Sequence, residues 1–198
     1  MSAEKAAWRE RFRAARARMP DGARAEASRA IVEAVDALVA GARTVSLFWP
    51  LVGRGEVDVR PLLARCTARG TLVALPAVLA REPPTLVHRA VAWEADLVAG
   101  PWGLAEPAAS CPEVAPGAVD IAVVPALGLG RDGSRLGYGG GYYDRYLAAT
   151  RALRVGVVWD ACLVDALPSE PFDQSLDVIV TERGALRISP TNAPRATW

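Results

Sequence analysis

The chain is 198 residues long, 52% hydrophobic and 23% charged, with a net charge of +1. That length suits one domain with a sizeable core, and the near-balance of charge gives no global pull toward nucleic acid. No apolar run approaches the ~20 residues of a membrane helix, and the N-terminal MSAEKAAWRERFRAARARM lacks the apolar centre of a signal peptide. The reading is of a single domain over residues 1–198, a cytoplasmic monomer acting on small molecules, with neither membrane nor nucleic acid as partner. Cys66, Cys111 and Cys162 form no C-x-x-C pair, so reduced thiols without a metal cluster are expected.

From Ala3 to about Met19 strong helix formers dominate, with Trp8, Phe12 and Ala15 at helical spacing. Lys5, Arg9 and Arg13 make a second, basic stripe at four-residue steps. By itself such a stripe reads as the solvated face of a surface helix. Pro20, Asp21 and Gly22 turn the chain, and a second helix is predicted from Ala23 to Val39, with Ile31, Val35 and Leu38 inward.

Thr44 to Phe48 is a short apolar strand. The loop beyond it, LVGRGEVDV, carries Glu56 and Asp58 past the strand's C-terminal end, where ligands gather in open α/β sheets. Pro61 suits the first turn of a helix running to Ala68, Gly70 ends that helix, and Thr71 to Leu75 is the next strand. This strand–helix–strand alternation argues for a parallel sheet.

Leu86 to Val91 reads as an edge strand carrying His88, the only histidine. A lone histidine on a strand is a structural group, and without a second such base most Ser/His/Asp or Cys/His schemes fall away. Leu97 to Pro107 is turn-rich, with Trp102 either a core aromatic or a flat platform for a ligand ring. Pro107 to Gly117 is a proline-rich connector.

The densest chemistry lies in DIAVVPALGLGRDGSRLGYGGGYYDRYL, from Asp120 to Leu147. An apolar strand, Ile121 to Val124, opens into a glycine-rich loop spanning Gly128 to Gly141, and a helix starts near Tyr142. Glycine lets backbone N–H groups approach a ligand, a helix start carries partial positive charge, and Arg131 and Arg135 add charged donors. The stretch therefore reads as a phosphate cradle rather than a long surface turn. Gly128, Gly130 and Gly133 fit a dinucleotide spacing, but no helix follows Gly133, and no G-x-x-x-x-G-K-[ST] is present. Beyond it, Arg154 to Val158 and Val178 to Thr181 are strands. Asp160, Asp165, Glu170, Asp173 and Asp177 make an acidic connection between them, and Pro190 to Trp198 is a loose tail.

RLGYGGGYYDRYL at Arg135 to Leu147 resembles the signature of the 5-formyltetrahydrofolate cyclo-ligases, also called methenyltetrahydrofolate synthetases. Lys5 and Arg9, the GEVDV loop around Glu56, PWGLAEP around Trp102 and LPSEPFDQSLDVIVTERG match further segments in the family's order. The resemblance implies a three-layer α/β/α sandwich of Rossmann-like type with a mixed, mostly parallel sheet. It implies that 5-formyltetrahydrofolate is cyclised to 5,10-methenyltetrahydrofolate, with Mg2+ and with ATP as co-substrate. A folate binder of the same fold without turnover is the alternative.

The same resemblance implies residue roles. Lys5, Arg9, Arg135 and the segment Leu136, Gly137, Tyr138, Gly139, Gly140, Gly141, Tyr142 and Tyr143 would hold ATP. Asp144 and Asp173 would hold the metal. Glu56 and Trp102 would meet the folate, with either Tyr142 or Tyr143 facing it. Arg135, Tyr142 and Asp144 would carry the chemistry. The chain departs from the family pattern at Tyr138 and Gly140, where some members have basic residues, and at Ala77, Cys162 and Phe172.

Overall fold

The computed structural model describes residues 3–189; the predicted tail Pro190 to Trp198 lies outside the described residues. The main sheet comprises β1 (Thr44–Ser46), β2 (Leu72–Arg81), β3 (Pro84–Val91), β4 (Glu113–Val114), β5 (Ile121–Pro125), β6 (Leu153–Val157), β7 (Val178–Thr181) and β8 (Gly184–Arg187). Their order is β8-β7-β6-β5-β1-β2-β3-β4. The strands from β7 to β2 run parallel, and both margins are finished by antiparallel pairing. Strands covered on both faces read as unbroken apolar runs, and Ile121 to Val124 and Val178 to Thr181 are buried throughout.

Among the described residues four α-helices accompany the sheet: α1 (Ala3–Ala17), α2 (Asp21–Val39), α3 (Pro61–Ala68) and α4 (Tyr142–Ala148). The β1–α3–β2 and β5–α4–β6 crossovers travel in opposite directions along the sheet. Right-handed connections therefore place α3 and α4 on opposite faces. α2 packs beside α3 and over β7, while α4 packs on β3. The result is the α/β/α sandwich with a mostly parallel mixed sheet that the resemblance implies.

Several sequence expectations change; Leu86 to Val91, expected at an edge, belongs to β3 and is paired on both sides, by β2 and β4. The second helix starts at Asp21, directly after Pro20, rather than at Ala23. β2 continues to Arg81 instead of stopping at Leu75, and Pro76 lies inside it. The Leu47 N–H bonds to Ala74 O, and Pro76, two residues on, faces the same side, where β1 has already ended. Its missing N–H therefore costs no ladder bond. The β2–β3 hairpin thus projects beyond the parallel core. The glycine loop also begins later than expected, because Gly128–Gly130 is a buried strand between Leu163–Val164 and Arg135–Leu136. A Cβ on Gly128 would lie 2.1 Å from the Phe12 ring, so that glycine serves close packing of α1 rather than a ligand.

The chain leaves β1 toward β2 on one side, while β5 lies on the other. The sheet's topological switch point therefore falls between β1 and β5, and the loops after both strands meet at their C-terminal ends. That crevice is where a ligand belongs in an open α/β sheet.

Candidate active site

A cavity of about 560 Å3 occupies this crevice. α1 supplies one wall, the loop after β1 a second, the projecting β2–β3 hairpin a third and the Arg135–Asp144 segment the fourth. Of the residues singled out by sequence, Lys5, Arg9, Glu56, Arg135 through Asp144 and Asp173 all line it. Asp58 does not, for it pairs with Arg60 at 2.6 Å and so fixes the start of α3. Trp102 falls in the turn Pro101–Gly103, but its side chain is outside the described set.

One end of the cavity gathers charged groups, the cations Lys5, Arg9 and Arg135 beside the carboxylates of Asp144, Glu170 and Asp173. The Lys5 ammonium donates to Asp173 at 2.6 Å and to Glu170 at 2.7 Å. Burial disfavours that charge, but the two carboxylate bonds outweigh it and hold the Lys5 pKa above the usual lysine value. Arg9 Nε donates to Gly137 O at 3.0 Å, and Arg135 Nη2 to Asp144 Oδ1 at 2.6 Å. Arg9 Nη1 and Arg135 Nε are buried and have no acceptor among the described residues. Buried donors left without acceptors are costly, and both guanidinium groups belong to residues that line the cavity.

Backbone conformation adds to this. Gly139 and Gly141 have φ of 100° and 71°, a region that side-chain-bearing residues avoid. These turns bring the glycine segment across the cavity and deliver the chain into α4. That helix has only seven residues, so its dipole is a smaller contributor than the sequence suggests, and the arginines and lysine carry the charge.

Asp144 and Asp173 both face the cavity, and each uses one oxygen internally. Asp144 Oδ1 accepts from Arg135 and, at 3.3 Å, from the Gln174 N–H, while Asp173 Oδ2 accepts from Lys5 and from the Glu170 N–H. The second oxygen of each has no hydrogen-bond donor among the described residues. No cluster of three or more carboxylate, histidine or cysteine ligands occurs among those residues. Two carboxylates with phosphate and water completing the shell is the set that Mg2+ prefers, so the residues fit that ion.

Sequence reasoning missed Arg16. Its guanidinium is buried and donates to Ala126 O and, at 3.3 Å, to Leu127 O, which ties α1 to the end of β5. The signal was present, since the buried stripe is Lys5, Arg9, Phe12 and Arg16 rather than Lys5, Arg9 and Arg13. A step of eight residues overshoots a helix face by about 80°, whereas a step of eleven overshoots by only about 20°. Arg13 accordingly stays half-exposed beside Glu10. Trp159 was missed as well: fully buried, it donates from Nε1 to Gly55 O at 2.8 Å and so pins the loop that carries Glu56.

The opposite end of the cavity is apolar, walled by Phe48, Pro76, Val78, Leu86 and Leu104. Glu56 enters from its margin, with Oε2 accepting from the Leu51 N–H and Oε1 from the Tyr138 hydroxyl, both at 2.7 Å. Tyr143 lies between the two ends, its ring 5.8 Å from the Arg135 guanidinium. Burial, with Glu56 nearby, pushes its phenol pKa up, so the ring is a neutral platform.

A sequence model of the 5-formyltetrahydrofolate cyclo-ligase family matches residues 1–182. The chain belongs to that family. As a cyclo-ligase it is an enzyme. It is 34% identical over 172 residues to the 5-formyltetrahydrofolate cyclo-ligase of Mycolicibacterium smegmatis, covering 83% of this chain and 87% of that one. Against the cyclo-ligase of Escherichia coli K12 it is 32% identical over 144 residues, covering 71% and 78%. The NMR structure of Aquifex aeolicus 5,10-methenyltetrahydrofolate synthetase matches with a TM-score of 0.83 at 28% identity, covering 97% of this chain and 96% of that one. The Mycoplasma pneumoniae synthetase, at 20% identity and a TM-score of 0.73 over 90% and 99% of the chains, shares the fold. Two cyclo-ligase departures gain a physical account here. Phe172 is exposed and stands 5.9 Å from the Lys5 ammonium, and Cys162 is a buried thiol under α1.

Proposed function

We propose that this cyclo-ligase converts 5-formyltetrahydrofolate to 5,10-methenyltetrahydrofolate, with ATP converted to ADP and phosphate. The observation carrying the reading is one continuous cavity that has Lys5, Arg9 and Arg135 among the charged groups of one end and apolar side chains along the other. A phosphate chain suits Lys5, Arg9, Arg135 and the amides from Gly137 to Gly141. A folate ring suits the apolar end, with Glu56, Trp102, Tyr142 and Tyr143 around it.

The formyl oxygen attacks the γ-phosphorus, and the bond from phosphorus to the bridging oxygen of ADP breaks. The amide-like formyl carbon thereby gains a phosphate leaving group. The second folate nitrogen attacks this carbon, loses its proton and closes the five-membered ring, and phosphate departs. Chemistry of this kind asks the protein for alignment, charge neutralisation and exclusion of water. Arg135 would neutralise the transferring group, and Asp144 would keep Arg135 oriented through their 2.6 Å bond. Asp144 and Asp173 would hold Mg2+, which when bound offsets phosphate charge. A monomer is the oligomeric state that accompanies this reading.

The test is formation of the methenyl chromophore with purified protein, with ATP and Mg2+ each omitted in turn. Absorbance should rise only when both are present. A rise without ATP would overturn the proposal.

A further inference from the structure

One carboxylate in the cavity has no role so far. Glu106 lies on the short strand Ala105–Pro107, which pairs with Leu97–Ala99 and packs on β2 and β3. Its side chain is buried, lines the cavity beside Val78 and Leu104, and packs on the backbone of Gly100. A Cβ on Gly100 would lie 2.6 Å from the Glu106 carboxyl carbon, so the glycine leaves the room that this carboxylate fills. Among the described residues no lysine or arginine pairs with Glu106, and no side chain donates to it. Only the Val78 backbone amide favours its charged form.

Burial raises the Glu106 pKa, and the Val78 amide offsets only part of that shift. A buried carboxylate without a cation is expensive in free energy, and evolution tolerates one where a ligand supplies the donors. Glu56 is the contrasting case, because each of its oxygens already accepts a bond from its own chain.

Given the proposed substrate, we infer that Glu106, not Glu56, binds the donor edge of the pterin ring. The ring N3–H and the 2-amino group form a flat pair of adjacent N–H donors. Two carboxylate oxygens match that pair bidentately, in the same way that they match a guanidinium fork. The aliphatic walls from Val78, Leu86 and Leu104 then cover the ring faces. Glu56 and Tyr138 are left at the boundary with the phosphate end, beside the formyl group. Glu106 is thus a specificity residue, selecting a 2-amino-4-oxo heterocycle over rings with an acceptor at the same edge.

The experiment measures the dissociation constant of 5-formyltetrahydrofolate without nucleotide, by calorimetry, for the wild type, Glu106→Gln and Glu56→Gln. Glu106→Gln should weaken folate binding by about ten- to a hundredfold, since an amide presents a donor to a donor. The ATP KM should stay within about twofold. A 2-desamino analogue should lose a similar factor on the wild type and almost nothing more on Glu106→Gln. Full folate affinity in Glu106→Gln, or equal analogue losses on both proteins, would overturn the assignment. If Glu106→Gln does not fold, the wild type alone decides: an analogue binding as tightly as folate sinks the idea. The function itself is judged separately, by whether the wild type forms the methenyl chromophore at all.

Discussion

The Tyr138 hydroxyl donates to Glu56 Oε1 at 2.7 Å, joining the glycine segment to the loop after β1 across 82 positions of sequence. Partial desolvation of the hydroxyl, and next the neighbouring Glu56 charge, raise the Tyr138 pKa, so the phenol stays protonated as a donor at any physiological pH. Tyr138→Phe removes this bond and keeps the ring. Hydrogen exchange at Gly139 to Gly141 should quicken, and Tm should fall by about 2–4 °C, the effect of losing roughly 1 kcal/mol in a domain of this size. Unchanged exchange in that segment would show that the bond does not order it.

Lys5 reaches Asp173 and Glu170 from a helix 165 or more residues away in sequence. Lys5→Met should raise the ATP KM by about ten- to a hundredfold through loss of a charge-assisted phosphate contact. The folate KM should move by less than about twofold. Steady-state kinetics with each substrate varied separates the two, and equal shifts in both would remove Lys5 from the phosphate end.

Asp144→Asn keeps an oxygen for the Arg135 and Gln174 bonds but discards the carboxylate charge. Turnover should drop by at least about a hundredfold, and half-saturation by Mg2+ should rise by about tenfold. Tm should change by no more than about 5 °C, because the internal bonds survive. Chelation of the metal by EDTA should silence the wild type reversibly. Wild-type Mg2+ dependence in the variant would move the metal elsewhere.

His88 is buried on β3 with its ring 3.7 Å from that of Tyr146, and neither of its nitrogens has a partner among the described residues. Burial lowers its pKa from 6.5 to about 3. Between those values the unfolded chain binds the proton and the folded chain does not. Stability present above pH 6.5 is therefore lost as the pH falls toward 3. At pH 5 this amounts to about 2 kcal/mol. His88→Phe retains a ring against Tyr146 and should flatten the decline in Tm between pH 6.5 and pH 5. A variant that declines as steeply as the wild type would assign acid sensitivity to other groups.

Much of this fold is legible in the chain because its signals are local. Runs such as Ile121 to Val124 have no polar face, which only a strand covered on both sides explains, and Pro61 and Gly70 bracket α3 by their own backbone limits. β2 is different. Pro76 marks an end to a local reading, yet the strand runs through it because its partner on that side stops first. The small sheet at Gly128–Gly130 was hidden in part for the same reason, since one of its two pairings, to Leu163–Val164, joins residues over thirty positions apart, although the other, to Arg135–Leu136, is local.

The sequence by itself determined the secondary-structure alternation, the absence of a histidine pair for catalysis and the family-matching glycine, tyrosine and aspartate motif. Periodicity, backbone restriction and side-chain chemistry are written residue by residue. Only the tertiary structure decided that Tyr138 is spent on Glu56, and that Glu106 stands in the cavity without a cation among the described residues. Those outcomes depend on which distant groups share a low-dielectric space, and burial sets both the cost of a charge and the partner it must find.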